Sequence, residues 1–260
     1  MRKLIQLAVA IFLVIAIFYP FIKEEKAEEP TDITLDERPD FSSITDVSQK
    51  KAAFFDYMRT GVQVENERIE NERNQLSAMQ KLISFRSFTE EQIQFIGRIS
   101  ERYKVDLPET EITSDWFDQA LIKVNVLPEA LVLTQAANES AWGTSRFAVE
   151  ANNYFGQWCY SKGCGLVPLK RSEGATHEVA KFPSVNASVH AYFMNVNRNN
   201  AYRELRQIRA DLVKDGSSLL DTNAAIKLTQ GLLRYSERGQ DYVDDLQAMI
   251  RVNKKYWTTQ

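Results

Sequence analysis

The sequence predicts a mainly helical protein: a helical domain with one small β-hairpin lobe, a helical appendage before it, and an N-terminal membrane anchor. Three observations carry this expectation. Beyond residue 46 most apolar residues recur at helical rather than alternating spacing. Gly163, Gly165 and Gly174 interrupt short stretches in a single region, the only place where a β element is expected. The first residues form an almost unbroken apolar run, close to the ~20 residues a membrane-spanning helix needs. The expected divisions are 1–23 (signal anchor or signal peptide), 24–46 (linker), 47–109 (helical N-terminal region) and 110–257 (main domain).

The apolar run, Leu4 to Ile22, follows Arg2 and Lys3 and precedes the acidic stretch Glu24 to Glu29. Positive residues stay on the cytoplasmic side, so the remainder of the chain is expected to be exported. Tyr19-Pro20-Phe21 and Lys23-Glu24-Glu25 stand where a cleavage site needs small residues, which favours an uncleaved anchor over a removed signal. The following window, rich in Glu, Asp, Thr and Ser with Pro30 and Pro39, has the composition of a linker.

From Val47 to about Phe85 the pattern is helical with one thin apolar row, Val62, Ile69, Leu76 and Ile83. Glu65 and Glu72 stand among the intermediate sites and no second apolar row is present, so a long solvated helix is expected ahead of a weak partner-binding helix, with Gly61 a candidate break. Thr89 with Gln92 three residues on forms a capping box that should start a helix from Glu90 to about Tyr103. Another helix is expected over Thr113 to Val124, with Trp116, Phe117, Ala120, Leu121 and Val124 on one side.

The segment Pro128 to Trp158 organises the rest. Pro128 suits a helix start, and the apolar run Ala130 to Leu133 with Ala136 and Ala137 describes a helix threaded through a core. That helix delivers Glu139 to its own end, sharing a face with Val132, Gln135 and Ala136. Such surroundings disfavour the charged carboxylate and raise its pKa, as a general acid working near neutral pH requires.

Downstream, Val167 to Arg171 and His177 to Phe182 are expected to pair as the hairpin. Helices should follow over Val185 to Asn195 and Leu219 to Leu233, and the amphipathic stretch Gln240 to Ile250 should close the domain. The two cysteines, Cys159 and Cys164, are too few for a structural zinc site, and His177 and His190 lack a compact ligand pattern. A disulfide closing a short loop is expected in an exported chain, with no metal and no cofactor. The net charge of −3 and the lack of basic residues interleaved with aromatics argue against a nucleic-acid partner.

Gln135-Ala136-Ala137-Asn138-Glu139-Ser140-Ala141-Trp142-Gly143, followed by Asn152-Asn153-Tyr154-Phe155-Gly156, resembles the signature of bacterial cell-wall glucosaminidases of the flagellar-muramidase and autolysin type. The resemblance covers roughly residues 110 to 255 and implies a lysozyme-like helical domain with its groove beside a small β-hairpin lobe. It implies peptidoglycan glycan strands as substrate, cleaved after N-acetylglucosamine; with the N-terminal anchor, the domain is expected in the periplasm, held to the inner membrane. Glu139 becomes the candidate acid, with Glu173 or Glu178 as candidates for a second carboxylate. If neither serves, the substrate's own N-acetyl group takes that part, oriented by Tyr235. Tyr235 and Tyr242 correspond to the two tyrosines of a family motif whose intervening Ala-Thr-Asp-Pro is replaced here by Ser236-Glu237-Arg238-Gly239. Trp142, Asn153, Gln157 and Trp158 complete the candidate substrate-binding set. A lytic transglycosylase also presents a Glu-Ser pair at a helix end, and a groove that holds glycan without cutting it is the reading outside enzymes.

Overall fold

The computed structural model describes residues 38–85, 87–169 and 176–257. The expected anchor, most of the linker and Glu173 lie outside them. Among the described residues no helix is long and apolar enough to cross a membrane.

The protein is mainly helical, with one small sheet. In chain order the helices are α1 (Val47–Leu82), α2 (Glu90–Tyr103), α3 (Ser114–Lys123), α4 (Glu129–Glu139) and α5 (Arg146–Ala151). Strands β1 (Trp158–Cys159), β2 (Gly165–Leu166) and β3 (Glu178–Ala180) follow, and then α6 (Val185–Arg198), α7 (Arg203–Lys214), α8 (Thr222–Leu228) and α9 (Gln240–Val252). The expected capping box is present at the start of α2, where Thr89 and Gln92 exchange both hydrogen bonds.

The largest departure from expectation is α1, which is not solvated. It packs along α3, α4 and α6, and Phe54, Phe55, Met58, Val62, Ile69 and Leu76 lie in the one core shared by the later helices. The second row that the sequence lacked is Met58, Glu65, Glu72 and Met79, all buried. Its two glutamates are tolerated because each is paired. Glu65 binds Arg68 at 2.8 Å and His190 of α6 at 2.9 Å. Glu72 binds Arg68 at 3.0 Å, accepts from the Tyr103 hydroxyl at 2.5 Å and pairs with Arg102. A buried carboxylate is stable in a core only with such partners. Gly61 does not break the helix; a Cβ there would stand 3.0 Å from Asn186 Oδ1 and 3.4 Å from Val189, so glycine lets α1 and α6 approach closely.

The sheet has the order β1-β3-β2, both pairings antiparallel. Among the described residues its second strand is Gly165–Leu166, while residues 167–169 of the expected Val167 to Arg171 are not in the sheet; Gly165 brings its backbone against β3, where a Cβ would fall 1.9 Å from Val179 O. Glu178 fixes this loop by accepting from the backbone N–H groups of Gly163 at 3.0 Å and Gly165 at 2.9 Å. Cys159 and Cys164 are joined as a disulfide that closes the same loop.

Two further differences concern helices. The stretch expected as one helix over Leu219 to Leu233 is α8 followed by a 3-10 turn, Thr229–Leu232. Gly231 lies in that turn, against the backbone of Leu205 of α7, where a Cβ would meet Leu205 Cα at 2.3 Å. Helix α7 carries no sequence expectation, since two of its buried positions are Arg206 and Arg209 rather than apolar residues. Arg209 is fully buried and donates to the carbonyls of Ile122, Lys123, Asn125 and Val126, closing the end of α3.

Candidate active site

Helix α4 runs through the core between α1, α8 and α9, buried from Ala130 to Ala137, and surfaces at Glu139. The chain then makes three consecutive left-handed residues, Ala141, Trp142 and Gly143, at φ 50, 58 and 76°. Two of these carry side chains that disfavour the conformation by roughly 1–2 kcal/mol each. Ser140 holds the turn: its hydroxyl donates to Ala136 O at 2.6 Å and accepts from Gly143 N at 2.8 Å. The Trp142 N–H also reaches back to Ala137 O at 2.9 Å. Gly143 suits the left-handed position and a close approach, since a Cβ there would fall 2.5 Å from the Phe41 ring. The helix end that carries Glu139 is therefore fixed by its own following residues.

Glu139 opens onto a cleft of about 420 Å³. Its walls come from Phe155 to Trp158, from Tyr192 and Asn195 of α6, from Asn199, Ala201 and Tyr202, and from Gly231 with Arg234 to Ser236. The two carboxylate oxygens are treated differently. Oε1 accepts from the Tyr242 hydroxyl at 2.9 Å and from Asn138 Nδ2 at 3.3 Å. Oε2 has no hydrogen-bond donor among the described residues and faces Gly156, where an added Cβ would lie 3.7 Å away.

Behind Oε1 runs a directed relay. The Tyr192 hydroxyl donates to Gln135 Oε1, Gln135 Nε2 donates to the Tyr242 oxygen at 3.1 Å, and Tyr242 in turn donates to Glu139. Gln135 lies one turn before Glu139 on α4, so one helix face presents both ends of this chain. Burial raises the Glu139 carboxyl above its ordinary value, while the hydrogen bonds from Tyr242 and Asn138 pull it partly back. A carboxyl whose pKa is raised by desolvation, with one oxygen free toward a cleft, is placed to deliver a proton to a bound group.

The other sequence-predicted residues separate into three groups. Tyr235, Gln157 and Trp158 line the cleft with Glu139. The Tyr235 hydroxyl donates to Phe155 O at 3.1 Å, and its ring stacks on Tyr242 at 5.4 Å. Trp158 is 53% exposed and stacks on His177 at 3.7 Å. The Gln157 amide donates to Ser188 O at 3.1 Å. Tyr242 stands behind the carboxylate rather than in the wall.

Trp142, Asn153 and Glu178 are engaged elsewhere. Trp142 packs edge-on against Phe54 and Phe55 of α1. Asn153 is buried, its Nδ2 donating to Gln157 O and Ala180 O at 2.8 Å each. Glu178 is turned into the sheet loop by its two backbone bonds. Glu178 and the two cysteine sulfurs lie together, but the sulfurs are bonded to each other and offer no thiolate to a metal. Ser140, Gln135, Tyr192 and Arg234 belong to the site without having been singled out by sequence. Ser140 and Gln135 carried a signal as members of the motif around Glu139, and Tyr192 as the tyrosine spaced after Phe182, Ser184 and Ser188 in a second stretch that resembles the family.

Comparison with known proteins shows the family of the chain. The sequence profile of the mannosyl-glycoprotein endo-beta-N-acetylglucosaminidase family matches residues 114–255. Over 217 residues the chain is 31% identical to protein Bax of Escherichia coli (strain K12), an alignment covering 84% of this chain and 74% of that protein. No solved structure matches.

Proposed function

The chain belongs to the endo-beta-N-acetylglucosaminidase family, and from that membership we propose that it is a peptidoglycan hydrolase cutting the glycan strand after N-acetylglucosamine, with Glu139 as general acid. We place it in the cell envelope, its lysozyme-like domain in the periplasm and its first residues in the inner membrane. The observation that carries the catalytic part is the asymmetry of Glu139, whose Oε1 is held by Tyr242 while Oε2 faces the cleft.

In this reading the protonated Glu139 gives its proton through Oε2 to the glycosidic oxygen as the bond to C1 breaks. Glu139 is the only carboxylate among the described residues lining the cleft, and the route we propose is the one in which the substrate's N-acetyl group assists. The acetamido oxygen then attacks C1, and water opens the resulting ring while Glu139, now ionised, takes the water's proton. Tyr235 donates its hydroxyl proton to Phe155 O, so its oxygen remains able to accept the acetamido N–H and turn the acetamido oxygen toward C1. Trp158 offers an exposed ring face to a sugar at the cleft edge.

The test is digestion of purified peptidoglycan by the full-length chain, with products identified by mass and by reducing end. New reducing N-acetylglucosamine ends, lost about a hundredfold or more in Glu139→Gln, are expected. Products ending in 1,6-anhydro sugars would replace this reading with a lytic transglycosylase. Glycan binding without any cleavage would replace it with a binding protein.

A further inference from the structure

The cleft wall carries two formally charged side chains, Glu139 and Arg234. The remaining polar groups in that wall are amides and hydroxyls, which suffice for a neutral sugar chain. A guanidinium adds nothing to recognition of neutral sugars that an amide does not supply, whereas it matches a carboxylate in both charge and planar geometry.

Several other arginines among the described residues are committed. Arg59 binds Glu129, Arg68 binds Glu65 and Glu72, Arg209 closes the end of α3, and Arg238 binds Asp245. Arg234 has no hydrogen bond or ion pair among the described residues, and it is exposed. Nor does it serve Glu139, whose carboxyl is governed by burial, Tyr242 and Asn138. Its backbone is nevertheless held firmly. Gly231 presses on Leu205 just before it, and the next residue, Tyr235, is tied by its N–H to Leu232 O at 2.8 Å and by its hydroxyl to Phe155 O. A free cation projects from a fixed support into the cleft that holds the candidate acid.

We propose that Arg234 is the carboxylate subsite of this cleft, pairing with the acidic group carried by the N-acetylmuramic acid units and so setting which glycosidic bond meets Glu139. The proposal rests on the reading of the substrate as peptidoglycan, in which every second sugar bears a lactyl carboxyl. That carboxyl is ionised where the stem peptide has been removed. It is an amide where the peptide remains, and the peptide then supplies carboxylates of its own. Pairing with the lactyl group would place the reaction after the class of amidase reaction that strips the peptide.

The test uses the full-length Glu139→Gln chain, which keeps the cleft without turnover, and measures binding by calorimetry. The probes are an alternating N-acetylglucosamine/N-acetylmuramic acid tetrasaccharide with free lactyl carboxyls, its methyl ester, and its peptide-bearing form. The free acid is expected to bind about tenfold more tightly than the ester, with the ratio shrinking as salt rises. Adding Arg234→Gln should bring the ratio to about one and Arg234→Lys should keep part of it, while Arg238→Gln, outside the cleft, should leave it in place. An acid-to-ester ratio near one together with no Arg234-dependent preference for the peptide-bearing form, or a tenfold ratio surviving Arg234→Gln, overturns the proposal. A preference for the peptide-bearing form that Arg234→Gln abolishes supports the subsite and assigns the stem as the source; preference for the free acid assigns the lactyl group. Hydrolysis by the chain with Glu139 intact is scored separately, so an inert protein with a measured Arg234-dependent preference refutes the catalytic reading alone.

Discussion

Tyr242 donates its hydroxyl proton to Glu139 Oε1 across 2.9 Å, joining residues 103 positions apart in the chain. A hydroxyl donating to a carboxylate favours the ionised form, so this bond lowers the pKa that burial raises. Tyr242→Phe keeps the ring that stacks on Tyr235 and removes only the donor. The Glu139 pKa should then rise, and because a general acid works protonated, the alkaline limb of the pH–rate profile should move to higher pH. A kcat profile of the variant beside wild type checks this, and an unmoved or lower limb contradicts it.

Burial of Glu139 should also be visible in stability. Its folded pKa lies above that of an unfolded glutamate, about 4.3, so the folded state holds the proton to higher pH than the unfolded state does. The stability this supplies is fully present below the unfolded value and is lost as pH rises through the folded one. Glu139→Gln should therefore melt at a higher temperature than wild type near pH 7, with the two curves converging below about pH 4. Melting temperatures across that range decide the matter.

Ser140 holds the left-handed turn by a bond in each direction, to Ala136 O and from Gly143 N. Ser140→Ala leaves the buried Gly143 N–H without that acceptor, at a cost of about 1–3 kcal/mol. Turnover should fall beyond what the lost stability explains, because the turn fixes the last residue of α4. Denaturant unfolding together with the rate at a temperature where the variant remains folded measures both.

In α1, Glu72→Ala removes the shared partner of Arg68, Arg102 and Tyr103. Breaking a buried pair from one side costs about 3–5 kcal/mol, far more than loss of a solvated glutamate would. A shift of this size in the denaturant midpoint at unchanged slope is expected; a change under about 0.5 kcal/mol would fit a surface helix instead.

The contrast between Glu139 and Glu72 shows what was legible. Glu139 could be read because its own neighbours, Ala136, Ala137, Ser140 and Gly143, describe a buried helix ending beside it. Glu72 could not, because what makes it a core residue lies on another helix, at Arg102 and Tyr103, and periodicity scores any glutamate as solvated. The same limit hid the relay, since Tyr192 and Gln135 are 57 residues apart and neither side chain announces the other. The sheet was found but misregistered for a different reason: Gly165 has low strand propensity, and only its fit against Val179 makes it a strand residue. Helix α7 escaped because Arg206 and Arg209 sit where apolar residues would mark a buried face.

The distance in sequence between Glu139 and its tuning hydroxyl bears on synthesis as well as on catalysis. The carboxyl is made midway along the chain, while Tyr242 arrives with α9, the last α-helix. Every fragment released or nicked before residue 242 carries the complete motif around Glu139 without the donor that completes its environment. Residues 139 and 242 must both be made before this hydrogen bond can form, so the environment of the Glu139 carboxyl depends on a segment synthesised 103 residues later.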